Sequence, residues 1–228
     1  MRSYRHGAGP RDGYAVCNEG GCLPALPVWR GLPAGHLDDA AQVLALAFHH
    51  DPIACDVVPE ATRRHRVLRW MFQTHLRYGE RYGMITTMTP VQGVAIWLPP
   101  GQTTPTLGRL VRTGALAAPL QFGWGVFRRS MAFLALTTVW HHRYAPVPHW
   151  YVYSLGVTPT RQGHGIGSAL LQPLLARADT EALPCYLETG VARNVGFYER
   201  QGFQVVAEGG LPRGGPCLWA MLRTPHRA

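Results

Sequence analysis

The apolar positions along the chain change period several times, and those changes outline its elements. Pro27-Val28-Trp29-Arg30-Gly31 is a short β-prone run, after which apolar residues recur at helical spacing over 37–49 through Leu37, Ala40, Ala41, Leu44, Ala47 and Phe48. Pro52 is expected to stop that helix. A second helical run over 61–82 sets Val67, Trp70, Met71, Thr74 and Tyr78 on one side. The pattern then turns to β: 84–88 and 93–98 are rich in β-branched and apolar residues, and predict a hairpin ending at Pro99-Pro100-Gly101. Residues 104–140 read as two helices parted near Pro119, an insertion whose Phe122, Trp124, Phe127, Met131, Phe133 and Leu134 are either core or substrate-facing.

The remainder alternates more regularly. A strongly β-prone strand over 150–157 leads through a glycine-rich turn into a helix over 166–180. A strand over 183–189, a helix over 193–201 and strands over 203–208 and 217–222 follow. This is an α/β (α+β) pattern, with layers around a mixed sheet. Residues 1–24 show no periodicity and are rich in Gly, Arg and Asn, so they are expected to form a flexible leader ahead of a single domain over 25–228.

Composition narrows the function. Hydrophobic residues make up 46% and charged residues 15%, as in a globular protein. The formal charge is +9, and all 22 basic residues are arginine. Without lysine there is no Schiff-base chemistry and no P-loop lysine, so a phosphate must be held by arginine, backbone N–H groups or a helix terminus. The arginines are dispersed, which favours an anionic small ligand over nucleic acid. Five cysteines (Cys17, Cys22, Cys55, Cys185 and Cys217) have no paired spacing, so no disulfide framework and no metal site is expected. The apolar stretch over 115–140 is broken by Arg128 and Arg129 and does not read as a membrane span, and Met1 to Pro10 has no secretory signature. A cytoplasmic location is expected.

The chemistry concentrates at Gln162-Gly163-His164-Gly165-Ile166-Gly167. A strand, a glycine turn and a helix start form an anion site, because first-turn N–H groups lack intrahelical acceptors and the helix dipole adds positive potential. The spacing G-x-G-x-G departs from the dinucleotide fingerprint, and no Lys-Ser/Thr follows as in a P-loop.

This segment, as Gln162-x-x-Gly165-x-Gly167 behind Leu155-Gly156-Val157, resembles the signature of the GNAT superfamily of acetyltransferases. A second block, Tyr186-Leu187-Glu188-Thr189 and then Arg193-Asn194-Val195-Gly196-Phe197-Tyr198-Glu199-Arg200-Gln201-Gly202-Phe203, is similar to the superfamily's downstream motif. Together with Gly93-Val94-Ala95-Ile96-Trp97, the wording looks most like the puromycin N-acetyltransferase branch. The resemblance implies a mostly antiparallel central sheet flanked by helices, with the helical insertion before the coenzyme-binding strand. It implies acetyl-CoA as cosubstrate, no metal, and acetyl transfer to a primary amine of a small molecule, such as an aminonucleoside or another amine antibiotic, by direct attack in a ternary complex. Acetylation of protein or peptide amines, and a noncatalytic coenzyme-binding module, are the alternatives.

By the same resemblance, Leu155, Gly156 and Val157 would pair with the pantetheine arm, and Gln162, Gly163, His164, Gly165, Ile166, Gly167 and Ser168 would hold the pyrophosphate. Asn194 matches a coenzyme-contacting position, or caps a helix. Tyr198 matches the acid that protonates the leaving thiolate, or is a packed aromatic. Glu188 would take the proton of the incoming ammonium, or form an ion pair with an arginine. Cys185 has no basic neighbour in sequence, which argues against an acyl-cysteine.

Overall fold

The computed structural model describes residues 26–104, 106–211 and 214–226, with the short paired segments 13–14, 17–18 and 21–22. The elements in chain order are β1 (Gly13–Tyr14), β2 (Cys17–Asn18), β3 (Gly21–Cys22), β4 (Leu26–Arg30), α1 (Leu37–Ala47), α2 (Pro52–Val57) and α3 (Ala61–Tyr82). They continue with β5 (Met84–Met88), β6 (Gly93–Leu98), α4 (Leu107–Thr113), α5 (Ala118–Tyr144), β7 (Trp150–Val157), α6 (Ile166–Thr180), β8 (Cys185–Thr189), α7 (Ala192–Glu199), β9 (Gln204–Gly210) and β10 (Cys217–Arg223). Most of the residues read as leader lie outside the described ones. The two-residue β1 pairs with β4, and β2 pairs with β3.

The main sheet runs β1-β4-β5-β6-β7-β8-β10-β9, and every neighbouring pair is antiparallel except β7 with β8. The expected mixed, mostly antiparallel sheet is thus present. One face is covered by α6, whose Ile166, Ala169, Leu170 and Leu174 pack with Trp97, Trp150 and Leu187. The other is covered by α1 and α3, where Leu44, Leu68, Phe72 and Leu76 meet Ile85, Val94 and Ile96. Trp97 and Trp150 are fully buried, and each such side chain stabilises the fold by about 2–3 kcal/mol through removal from water.

Three features differ from the pattern read along the chain. Pro52 does not simply end a helix: it opens α2 as a first-turn residue, with the Asp51 carboxylate accepting from the N–H groups of Ile53 and Ala54 at 2.8 and 3.2 Å. The side of α3 carrying Val67, Trp70 and Met71 faces α5, whereas Leu68, Phe72 and Leu76 face the sheet. The insertion parts into two helices at 114–117, just before Pro119, which occupies the first turn of α5, and it kinks again at Gly123; Gly114 and Gly123 both have positive φ (81° and 79°). Helix α5 continues to Tyr144, beyond the expected end. Of its aromatic residues Phe122 is core at 5% exposure, while Trp124 stands 68% exposed.

Candidate active site

The site begins with a defect in β7. On β6, Ile96 and Trp97 are adjacent, but their partners on β7, Ser154 and Val152, are separated by Tyr153. Tyr153 is therefore a β-bulge, which bends its strand and leaves a residue outside the ladder. Beyond the bulge the faces are reset: Leu155 and Val157 pack on the α6 side, and Gly156 lies under α1, where a Cβ would stand 2.8 Å from Leu44 Cδ2. On its other edge β7 pairs with β8 only at Trp150↔Cys185 and Tyr151↔Tyr186. From Val152 onward the two parallel strands diverge, and the backbone edge of β7 through Leu155-Gly156-Val157 is left without a β8 partner.

The glycine turn lies at the open end of this wedge. A 3₁₀ turn over Pro159–Arg161 leads into Gly163 and Gly165, at φ 80° and 77°, conformations that glycine adopts without the Cβ penalty. Gly165 caps α6 with no side-chain hydrogen bond, and among the described residues nothing accepts from the amides of 163–168. Six consecutive donors at the start of a 15-residue helix are an arrangement that can hold an anion. The turn is braced around its rim: Gln162 Nε2 donates to Val157 O at 3.1 Å, Arg161 Nε to Gln92 Oε1 at 3.1 Å, and His164 Nδ1 to Gln162 O at 2.9 Å. Ile166 turns its side chain into the core, so only its backbone faces outward. Ser168 Oγ accepts from Gln201 Nε2 at 3.1 Å, and a Cβ on Gly167 would lie 3.2 Å from Phe197, so the first turn of α6 is seated directly on α7.

Glu188 sits where β7 and β8 part. Its Oε2 accepts from the Tyr151 hydroxyl at 2.7 Å, while Oε1 and the nearby Tyr186 hydroxyl have no hydrogen-bond partner among the described residues. Burial pushes its carboxyl up from 4.5 to about 7, against the restraining effect of the two phenols. No described arginine pairs with it. Tyr151 and Tyr186 are in turn raised by burial and by the Glu188 charge.

Tyr198, at 7% exposure, packs in the α6-side cluster, with its ring 5.8 Å from Phe203. Burial, with the Asp51 carboxylate adding to it, raises its phenol well above 10, which keeps the hydroxyl protonated at neutral pH. The same burial raises Asp51 itself. Asn194 lies inside α7 and does not cap it; Val191 holds that place, and Asn194 Nδ2 approaches Thr189 Oγ1 at 3.4 Å. Cys185 is fully buried and its thiol is pushed up to about 12, which withholds a thiolate nucleophile.

The structure thus gathers Glu188, the loop 162–168 and the free edge at 155–157 around one wedge, with Asn194 and Tyr198 on the helix beside it. It adds residues not singled out in the sequence. Tyr151 and Tyr186 accompany Glu188, and the alternation Tyr186-x-Glu188 within a strand was the available signal. His141 of α5 and His149, brought together by the turn between α5 and β7, stack beside them, and Asp51 approaches the end of β8 at Gly190.

Known proteins share part of this sequence and fold. Residues 118–203, from α5 through α7, match the model of the acetyltransferase (GNAT) family. An uncharacterized N-acetyltransferase of Schizosaccharomyces pombe is 25% identical over 173 residues, 72% of this chain and 69% of that protein. A crystal structure described as histone acetyltransferase HPA2 and related acetyltransferase, from Corynebacterium glutamicum, is 26% identical with a TM-score of 0.60, covering 88% of this chain and 97% of that one. The fold is shared with arylalkylamine N-acetyltransferase 2 of Aedes aegypti, at 13% identity and a TM-score of 0.56 over 87% of this chain and 99% of that one. It is also shared with the polyamine N-acetyltransferase of Drosophila melanogaster, at 13% identity and a TM-score of 0.54 over 86% and 99%. The match over residues 118–203 and the N-acetyltransferase relatives make the protein an acyltransferase.

Proposed function

We propose that the protein transfers the acetyl group of acetyl-CoA to a primary amine of a small molecule, by direct attack in a ternary complex. The observation that carries the reading is the wedge between β7 and β8, with a cradle of free amides on one lip and a buried, proton-accepting carboxylate at its base. Acetyl-CoA, when bound, supplies an activated acyl thioester. The amides of 163–168 hold its diphosphate, and the edge of β7 at 155–157 pairs with the pantetheine amides as an added strand. Asn194 supplies a further polar contact at the far lip.

An alkylamine is an ammonium at neutral pH and has no lone pair for attack. Glu188 Oε1, buried and without a partner, accepts its proton, and a carboxyl that titrates at about 7 suits that task. Tyr198 then gives its phenolic proton to the departing sulfur, and its raised proton affinity keeps it loaded for that step. The inert Cys185 supports direct transfer over an acyl-enzyme.

The sequence likeness to the puromycin N-acetyltransferase branch supports an aminonucleoside or another amine antibiotic as acceptor. The fold neighbours named for arylalkylamines and polyamines support small amines more broadly, and the neighbour named for histone acetylation makes a peptide amine the contrasting case. The test is a thiol-release assay with acetyl-CoA against aminonucleosides, arylalkylamines, polyamines and a lysine peptide. Turnover with small amines is expected; release with the peptide alone overturns the small-molecule reading.

A further inference from the structure

We propose that His141, near the end of α5, is a positioning residue for acyl transfer: clamped by His149, its ring holds the Tyr151 phenol on Glu188. The inference rests on the proposed role of Glu188 as the base.

The hydrogen-bond order sets the protons. His149 Nδ1 lies 2.6 Å from Val147 O, a pure acceptor, so Nδ1 carries the hydrogen and Nε2 is bare. His141 Nε2 contacts that bare nitrogen and therefore donates to it. Both rings are buried, at 8% and 5% exposure, and burial lowers their proton affinities, His141 to about 3, so the pair is neutral under working conditions. The clamp fixes the His141 ring 4.6 Å from that of Tyr151 and 4.8 Å from that of Tyr186. These are the two phenols beside Glu188. Two buried imidazoles are a costly way to fill space that leucine would fill, unless their orientation is used.

Used in this way, the pair keeps Tyr151 donating to Oε2, which leaves Oε1 as the face presented to the amine. Being neutral, it adds no cation that would pull the carboxyl down. The other titratable groups facing this unit are Tyr153 from β7 and Tyr144 and His142 from α5. Tyr186 remains the second phenol bearing on Glu188, so the effect expected on loss of the clamp is that of the Tyr151 hydrogen bond alone. Loss of the clamp frees Tyr151, removes a donor to the ionised carboxylate, and so moves the titration of Glu188 to higher pH.

The test compares His141→Ala, His141→Phe and Tyr151→Phe. In His141→Ala the acidic limb of kcat/KM is expected to move up by about half a pH unit or more, in the same sense as Tyr151→Phe. Coenzyme affinity should be unchanged. The double variant should move the limb no further than Tyr151→Phe alone. His141→Phe, which restores the ring without the clamp, should lie between wild type and His141→Ala, and serves if the alanine variant does not fold. A limb that stays in place in whichever variants fold overturns the proposal, whatever they lose in stability. Infrared titration of the carboxyl band, assigned by its loss in Glu188→Gln, reads the same shift without turnover. If Glu188→Gln keeps the acidic limb, the base reading fails, yet an infrared shift in His141→Ala would still show that His141 sets the carboxyl.

Discussion

Replacing Glu188 by Gln tests the base and the cost of keeping it. The folded protein holds the Glu188 proton more tightly than an unfolded chain does, about 7 against 4.5. Between those values the folded state binds more proton, so stability is present at low pH and is lost as pH rises through the window. By pH 8 the difference amounts to about 3 kcal/mol if it is expressed in full. Gln carries no charge and its amide oxygen still accepts from Tyr151, but its new N–H groups need acceptors. A gain of about 1–3 kcal/mol at pH 8 follows, shrinking to about a quarter of that at pH 5. For a chain of this size the midpoint should rise by roughly 2–10 °C at pH 8. Over the same substitution, turnover should fall by about 10²–10⁴. Thermal unfolding at both pH values and thiol release at pH 8 check the pair. An equal offset at pH 5 and pH 8, or a less stable variant at pH 8, refutes the argument that burial drives this carboxyl.

Gly165→Val places a β-branched residue at φ 77° in the middle of the amide cradle, at a local cost of about 1–3 kcal/mol. The dissociation constant of CoA, measured by calorimetry, should rise about tenfold or more, and unchanged affinity would sink the loop assignment. Tyr198→Phe should cut kcat by about 10²-fold while leaving CoA binding as it is; an undiminished rate would make the residue a packing aromatic. His75, which burial holds down to about 4, is neutral when folded but charged in the unfolded chain below about pH 6.5. Stability should therefore fall as pH drops through that range, by about 2 kcal/mol at pH 5, and His75→Phe, which keeps the contacts to Phe72 and Tyr153, should remove most of the loss. Urea titrations at pH 5 and 8 decide it; an unchanged acid loss in the variant assigns it elsewhere.

What could be read along the chain was what is encoded locally. The glycine turn needs only a strand end, residues that accept positive φ and a helix start, all within 150–180. The helix over 61–82 and the strand over 150–157 likewise have the observed limits, because the period of apolar residues changes there and Gly83 follows the helix. The break at Gly123 was missed because Pro119 is the stronger stop signal in general, yet it is harmless in a first turn. The bulge at Tyr153 had no local signal, since it is a property of register between β6 and β7. The meeting of His141 with His149 depends on how the turn after α5 folds back, which neither histidine announces.

That division also explains the site's electrostatics. Cys185 and Leu187 of β8 face α6, while Tyr186 and Glu188 face α5. Tyr198 belongs to the α6-side cluster, so on the proposed mechanism the acid and the base approach the wedge from opposite faces of the sheet. Each is tuned by its own neighbours: Glu188 by Tyr151 and Tyr186, Tyr198 by Asp51. Separation by the sheet lets burial raise both, keeping the phenol charged with its proton while the carboxylate remains able to accept one near neutral pH. On the proposed mechanism the divergence of β7 from β8 beyond Tyr151 is the gap at which the two groups would address the same reacting atoms.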